Sequence, residues 1–357
     1  MKKFLFIIVC LLLYSNILYA AEFKIDNFKL NVYSNIYGDF FYSYNKPSNY
    51  TNDITHSFSS SAFIGSSHIG FNINYSKIDI LFEAGISDII RKYYIKYNIS
   101  NEENHFILIG RDTTLAYYSF GQIAKNLAGL NDYGTLADNR RFQLRYGIKN
   151  FQIALILPYL SDWNSQFVND TSSLYDGFIN IPRIETSYNY QSKYIDLKAF
   201  AGYGIYMYER DNKYTVHSAN AGIGSNFIID DKTSMNISIF YGYNLNMTNS
   251  LSNSSTINII NNIFTVTNIH SFGIAAGFKY KYNDYLTAQA GLGYTFNFAD
   301  NYKSIDDAFG GYLNVEIVLN KYFSIIPEVS LFNNMQSSTE QSEGYDFMAG
   351  VMLYLKL

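Results

Sequence analysis

The stretch SFGIAAGFKYKYNDYLTAQAGLGYTFNF, residues 271–298, decides the fold. From Phe272 to Tyr282 every even-numbered residue is apolar or aromatic, and every odd-numbered residue is small, polar or charged. The same alternation resumes after Asn283-Asp284 and continues to Phe298. A period of two residues is that of a β-strand with one apolar face.

Strand length separates a membrane barrel from a soluble β-sandwich, whose strands also alternate. Strands of soluble proteins average about five or six residues, whereas a tilted membrane strand needs about nine to eleven. The alternating runs reach the longer figure, and Tyr and Phe gather near their ends, where aromatic girdles meet lipid headgroups. We therefore predict an all-β fold, a transmembrane antiparallel β-barrel.

The alternation recurs along the whole chain and predicts about sixteen strands, an even number, as in bacterial single-chain barrels. The predicted strands are 28–44, 57–75, 78–88, 91–99, 104–111, 140–148, 151–160, 183–191, 194–209, 214–230, 233–247, 266–282, 285–299, 307–319, 322–332 and 344–357. Pro327 lies inside one of them. Because a closed barrel has no free edge for a residue without an N–H, we expect a bulge or a late strand start there.

The connections between these strands alternate in length. The short ones are 76–77, 101–103, 149–150, 192–193, 231–232, 283–284 and 320–321. The long ones are 45–56, 112–139, 161–182, 248–265 and 333–343. Short periplasmic turns opposite long external loops are typical of outer-membrane barrels, so we expect both termini in the periplasm.

The longest connection, 112–139, follows the strand HFILIGRD, which starts at His105. It precedes two strands, RRFQLRYGI and FQIALIL, that are joined by the tight pair Lys149-Asn150. A loop of this length inside a compact domain usually has a function of its own. We expect this third external loop to fold inward and to set the bore of the lumen.

The first twenty residues, 1–20, have the features of a secretory signal peptide: a basic start, an apolar run over 4–13, and Ala20 as a small exit residue. Residues 21–357 then form a single outer-membrane β-barrel domain. The only cysteine is Cys10, inside the signal peptide, which excludes a disulfide scaffold. The formal net charge of −4 argues against a nucleic-acid surface.

Five segments follow one another in an order that carries a family resemblance. They are NVYSNIYGDFFYSY (31–44), SSHIGF (66–71), ILFEAGI (80–86), LIGRDTTLAYY (108–118) and NRRFQLRYGIKNFQIALIL (139–157). Their order and spacing resemble those of the general porins of Gram-negative outer membranes. The resemblance implies a homotrimer of water-filled barrels that pass small hydrophilic solutes and ions. It also implies acidic groups on the third loop that face a basic cluster on the wall.

The chain departs from the family pattern at three positions. His68 stands where the family has Arg, Asp112 where it has Gln, and Leu357 where it has Phe. The first two departures alter the charge that the resemblance implies at the constriction. The third alters the last residue of the closing strand, whose alternation nevertheless remains.

Charged residues that alternate with apolar ones are expected to face the lumen, because Lys or Arg on the lipid face costs about 2–4 kcal/mol near the bilayer midplane. On the constriction wall we predict His68, Glu83, Lys92, Lys96, Arg111, Arg141 and Arg145. On the constriction loop we predict Asp112, Asp132 and Asp138. Opposed charges in a narrow pore sort solutes by charge and dipole. The alternative is that these are ordinary solvated lumen residues or loop anchors.

The sequence offers little support for a nucleotide-binding protein or an enzyme. The glycine pairs within 202–204, 222–224 and 291–293 lie in alternating strands without a following helix, so we interpret them as relief of crowding and not as nucleotide loops. No nucleophile elbow and no His-Glu-x-x-His pattern occurs. We expect no enzyme, no cofactor and no metal.

The expected partners are small hydrophilic solutes and ions, outer-membrane lipid and further copies of the chain, and not nucleic acid. The alternative function is that of a surface-exposed antigen or adhesin barrel with a plugged or narrow lumen, whose external loops bind a host or phage partner.

Overall fold

The computed structural model describes residues 22–25, 27–47, 54–61, 66–85, 90–121, 130–131, 133–136, 140–157, 178–209, 213–245, 256–260, 263–300, 305–336 and 344–357. The expected signal peptide, residues 1–20, lies outside the described residues. In the described ranges, no helix is both long and apolar enough to cross a membrane.

The described residues form strands that we number in chain order. They are β1 (Glu22–Ile25), β2 (Phe28–Pro47), β3 (Thr55–Ser61), β4 (His68–Tyr75), β5 (Ile78–Gly85), β6 (Lys92–Ser100), β7 (His105–Thr113), β8 (Arg140–Ile148), β9 (Phe151–Ile156), β10 (Phe178–Asn180), β11 (Arg183–Gln191), β12 (Ile195–Glu209), β13 (Lys213–Ile228), β14 (Thr233–Tyr243), β15 (Thr256–Ile260), β16 (Ile263–Thr267), β17 (Ile269–Lys281), β18 (Leu286–Ala299), β19 (Asp306–Asn320), β20 (Phe323–Gln336) and β21 (Gly344–Lys356).

These strands, apart from the separate hairpin β15–β16, form one antiparallel sheet that closes on itself. β3 and β4 both pair with β2 and together make one barrel strand, as do β10 and β11 beside β12. β21 pairs back with β2 in a continuous register from Asn35↔Lys356 to Pro47↔Gly344. The result is a closed antiparallel barrel of 16 strands, which confirms the predicted fold.

The closing seam is extended by a short arm at the start of the described chain. Leu357 and Ser34 exchange backbone hydrogen bonds of 2.9 Å in both directions, at the end of the β2–β21 ladder. β1 continues along the same edge of β2, from Glu22↔Asn31 to Ile25↔Phe28. β2 is therefore paired along this edge almost throughout its length.

The sequence alternation becomes an inside–outside alternation in the barrel. In β7, Phe106 and Leu108 are buried, whereas Ile107 and Ile109 are 42% and 49% exposed on the outer face. Successive side chains of a strand point to opposite faces. The apolar outer face matches the lipid-facing surface of a membrane barrel.

Two features differ from the sequence expectations. The expected bulge at Pro327 is absent: β20 pairs with β21 in unbroken register through Pro327↔Val351. The register shifts between β19 and β20 fall elsewhere, between Asp307 and Ala308 and between Val318 and Asn320. The long connection predicted at 248–265 contains most of the hairpin β15–β16, which the alternation did not predict. The last two residues of β16 belong to the strand predicted at 266–282.

Several short turns contain an Asp or Asn side chain that accepts hydrogen bonds from the backbone N–H groups two or three residues later. Asp230 Oδ1 accepts the N–H groups of Lys232 and Thr233, both at 2.8 Å. Asn283 and Asn320 make the same kind of turn. Such Asx turns give the tight reversal that antiparallel neighbours require.

Candidate functional site

One side of the lumen carries a charged row across β5, β6, β7 and β8. Glu83 lies opposite Lys92 in the β5–β6 register, and Asp112 lies opposite Arg141 in the β7–β8 register. Lys92 Nζ is 3.9 Å from Asp112 Oδ1, which joins the two pairs. Because residues directly opposite one another share a face of the sheet, the row alternates in sign around the inner wall.

A second charged row lies closer to the short turns. Asp79 and Lys96 are opposite one another, with Lys96 Nζ 3.9 Å from Asp79 Oδ2. Arg145 stands in the same row two strands further on. Its Nη2 reaches Asp112 Oδ2 at 3.2 Å. Asp112 is therefore shared between cations of both rows.

A buried cluster surrounds Glu83 at the loop end of β5. Arg91 Nε donates to Glu83 Oε1 at 2.8 Å, and the Tyr33 hydroxyl donates to Oε2 at 3.1 Å. His68 Nε2 lies 3.6 Å from Oε2, and His68 Nδ1 is 2.7 Å from the Ser66 carbonyl oxygen. The Glu83 carboxylate is thus contacted from several sides and compensated locally by Arg91.

Most of the predicted wall residues lie on the inner face: His68, Glu83, Lys92, Lys96, Arg141 and Arg145. Arg111 differs from the expectation. It pairs with Tyr93 and Phe142, whose side chains are 39% and 38% exposed on the outer face. The reason is the alternation itself, since its neighbour Asp112 faces inward. That the inward residues select solutes stays a prediction.

The predicted loop aspartates are placed differently. Asp112 belongs to the end of β7 and not to the loop, and its side chain is largely buried. Asp132 and Asp138 lie outside the described residues. The charges described at this level therefore sit on the barrel wall.

The start of the third loop is tied to the inner wall by side chains of β8 and β11. Gln143 Nε2 donates to the Asp112 carbonyl oxygen at 2.8 Å. Glu185 Oε2 accepts the backbone N–H groups of Leu115 and Ala116, both at 2.7 Å. Because Gln143 and Glu185 face inward, the loop turns into the lumen as soon as β7 ends.

Further along, the loop reaches the opposite part of the wall. The Gly134 N–H donates to Thr295 Oγ1 on β18 at 2.7 Å, and the Tyr133 hydroxyl donates to Asn334 Oδ1 on β20 at 3.1 Å. Apolar loop residues join wall residues in two clusters: Phe120 and Leu130 with Ala275, Tyr312 and Phe332, and Ala116 and Leu136 with Phe200, Phe240 and Leu245. The described part of the loop therefore lies against the inner wall from β11 to β20.

Tyr118 anchors the middle of this contact. Its hydroxyl donates to Asn236 Oδ1 on β14 at 3.3 Å. Burial, together with the nearby Asp196 carboxylate, raises the pKa of Tyr118 to about 12. The hydroxyl therefore stays protonated, and a donor, across the physiological pH range.

Glycines make room for the loop on this wall. A Cβ at Gly224 would overlap the ring of Tyr118, and a Cβ at Gly293 would overlap the carbonyl oxygen of Tyr133. Both belong to the glycine pairs that the sequence analysis interpreted as relief of crowding. The close approach of a ring and a backbone to these positions is the kind of contact that an absent side chain permits.

The residues that hold the loop were not predicted from the sequence. Glu185 and its neighbour Arg183 are buried on the inner face, and so is Asn220 on β13. Alternation within β11 places Arg183 and Glu185 on one face, which was the available signal. Their contact with Leu115 and Ala116 joins residues about seventy positions apart, and no local pattern encodes it.

Solved structures share this fold. The outer membrane channel DcaP of Acinetobacter baumannii matches with a TM-score of 0.69 at 17% identity, over 94% of this chain and 100% of that chain. The trimer form of in-vitro folded OmpT, an outer membrane protein of Vibrio cholerae, has a TM-score of 0.57 at 11% identity, over 93% and 100%. The anion-selective porin from Comamonas acidovorans has a TM-score of 0.56 at 11% identity, over 92% and 100%.

No protein-family model matches the chain, and no curated protein sequence matches it. The likeness to the solved structures is one of architecture, and it extends over nearly the whole chain. The expected resemblance to outer-membrane porins is thereby confirmed for the fold. The fold is that of outer-membrane channel proteins.

Proposed function

We propose that this protein is a porin of the bacterial outer membrane. It forms a water-filled channel through which small hydrophilic solutes and ions diffuse passively, and it performs no enzymatic reaction. The observation that carries the proposal is the third loop, which turns into the lumen at Leu115 and Ala116 and lies against the inner wall. A loop in this position narrows the lumen, while the backbone hydrogen bonds between the strands of the wall stay intact.

The constriction lies between this loop and the two charged rows. Lys92 and Lys96 have side chains that are 26% and 25% exposed, so lumen water reaches both side chains. Asp112 and Arg145 are only 12% and 10% exposed and act as fixed charges of the wall. Selection by such a site is electrostatic, since permanent charges on the wall act on every solute that passes.

The assembly is a homotrimer in outer-membrane lipid, with both termini and the short turns on the periplasmic side. The trimer form of OmpT, which shares the fold, supports this assembly. The exposed apolar outer face supports contact with lipid. We also propose that the loop segment 112–139 constricts the lumen and that the charged wall residues select the solutes that pass.

Ion flux through the refolded protein in a planar bilayer tests the proposal. A salt gradient should drive a steady current through the folded barrel, and a neutral sugar should enter liposomes that contain it. A folded barrel that passes neither ions nor sugar contradicts the proposal. That outcome would favour the antigen or adhesin barrel with a plugged lumen.

A further inference from the structure

A buried cluster lies beneath the start of the third loop, apart from the charged rows. It consists of Arg183 and Glu185 on β11 and Asn220 on β13, which are 3%, 4% and 3% exposed. Charged side chains are rarely buried to this degree unless they are paired and fully hydrogen-bonded. The cluster contacts the backbone of the loop and not open lumen.

Both oxygens of the Glu185 carboxylate are used. Oε2 accepts the N–H groups of Leu115 and Ala116 at 2.7 Å each. Oε1 accepts from Arg183 Nε at 2.9 Å. All three partners are donors, so the site requires a group with two acceptor oxygens and no hydrogen of its own. An ionised carboxylate meets this requirement, and a carboxamide does not.

Arg183 and Asn220 complete the arrangement. Arg183 Nη1 donates to Ser218 Oγ at 3.3 Å, and Nη2 donates to Asn220 Oδ1. Asn220 Nδ2 in turn donates to the Ala116 carbonyl oxygen at 2.6 Å. Ala116 is therefore held through both its N–H and its carbonyl group, and the two contacts come from strands β11 and β13.

We propose that Glu185 is the positioning residue of the third loop. Its carboxylate, oriented by Arg183, fixes the backbone of Leu115 and Ala116 against the wall and so determines where the loop crosses the lumen. The consequence for permeation rests on the proposed channel function, whereas the attachment of the loop does not. In Glu185→Gln one carbonyl oxygen remains, so either the two loop N–H groups or Arg183 Nε faces the amide NH2 without an acceptor, and the Arg183 charge is no longer compensated. This favours displacement of the loop.

Amide hydrogen exchange of the folded protein tests the attachment directly. In Glu185→Gln, exchange of the peptide that spans 114–118 should rise roughly tenfold or more, because a lost buried acceptor shifts a local opening equilibrium by that order. The double variant Arg183→Gln with Glu185→Gln should recover part of the protection. There one introduced amide can donate to the other and leave a carbonyl oxygen for the loop.

Glu328→Gln is the matched control. Glu328 is also a buried inward carboxylate, 4% exposed, and it accepts from Asn314 Nδ2 at 3.0 Å. Exchange over 114–118 should be unchanged in this variant. If it rises as in Glu185→Gln, or if Glu185→Gln leaves it unchanged, the proposal is overturned. Should Glu185→Gln fail to fold, Asn220→Ala takes its place, with the same rise expected and the same unchanged result overturning the proposal.

Single-channel recordings test the consequence. Glu185→Gln should show brief closures several times more often than the unsubstituted protein, and the double variant should fall between them. If the unsubstituted folded barrel passes no current, the proposed channel function fails, while the exchange experiment still decides whether Glu185 holds the loop.

Discussion

At the scale of single residues, the wall opposite the loop is organised by cross-strand neighbours. Asp112 is shared by Lys92 at 3.9 Å and Arg145 at 3.2 Å, so its charge is largely compensated within the wall. Lys92 and Lys96 are more exposed than Asp112 and Arg145. A passing ion therefore reaches the charges of these two lysines more readily than those of Asp112 and Arg145.

We expect Lys92→Ala and Lys96→Ala each to shift ion selectivity toward cations. A unit charge about 7 Å from an ion in a water-like lumen is worth about 0.6 kcal/mol, or a factor of about three in local ion concentration. The reversal potential under a salt gradient measures this shift. Lys232→Ala, in an exposed turn of the described chain, is the control and should not move it. A reversal potential that is the same in all variants would show that the wall lysines do not select ions.

The glycines beneath the loop give a second residue-scale prediction. Gly293→Ala places a Cβ on the Tyr133 carbonyl oxygen, a backbone atom that cannot rotate away. We expect the loop to be displaced, with a changed conductance and a destabilisation of about 1–3 kcal/mol, as is typical of overpacking. Gly311→Ala is the control, because the nearest atom to a Cβ there is the flexible end of Leu292, at 2.8 Å, and the nearest backbone atom is 3.4 Å away. Equal effects of the two substitutions would contradict the packing described for the loop.

At the scale of elements, the strands were predictable from the sequence, whereas the contacts between the third loop and the wall were not. Alternation in Ser271–Phe298 reflects a local rule, that neighbouring side chains face opposite sides, and the described barrel strands follow it outside a few register shifts. The same rule, applied to Arg111, would have placed that side chain outside. The contact of Glu185 with the loop backbone forms only when the barrel closes and brings distant residues together. No periodic pattern in the sequence indicates such a contact.

The short turns give an element-scale prediction that depends on pH. Backbone hydrogen bonds from Lys232 and Thr233 hold the pKa of Asp230 below its usual value. A depressed folded-state pKa contributes stability at neutral pH, and this contribution is lost as the pH falls through that pKa. Asp230→Ala should therefore unfold in urea more readily than the unsubstituted protein at pH 7, with a smaller difference in strong acid.

Asp230→Asn keeps a carbonyl acceptor in the same place and serves as the control. Its resistance to urea should lie between those of the other two proteins at pH 7. An Asp230→Ala difference that is as large in strong acid as at pH 7 would show that the carboxylate charge does not support the turn.

At the scale of the whole molecule, the barrel forms a closed wall and the loop lies inside it. The closed sheet pairs its described strands from β2 round to β21 and has an apolar outer face. Inside, the loop covers the wall from β11 to β20 and leaves the charged rows of β5 to β8 facing it. The strand number followed from the sequence because each strand repeats the same pattern. The sign of the proposed selectivity was not predictable, because it depends on which charges of the wall are already paired.

The most direct test of the proposed function is single-channel conductance of the refolded protein in a planar bilayer. The proposed function predicts steps of nanosiemens scale, with three equal closures per inserted trimer at high voltage. Folding is checked beforehand by β-sheet circular dichroism and by the heat-dependent shift in gel mobility. A protein that passes these checks yet produces no current would contradict the claim that the barrel is an open channel.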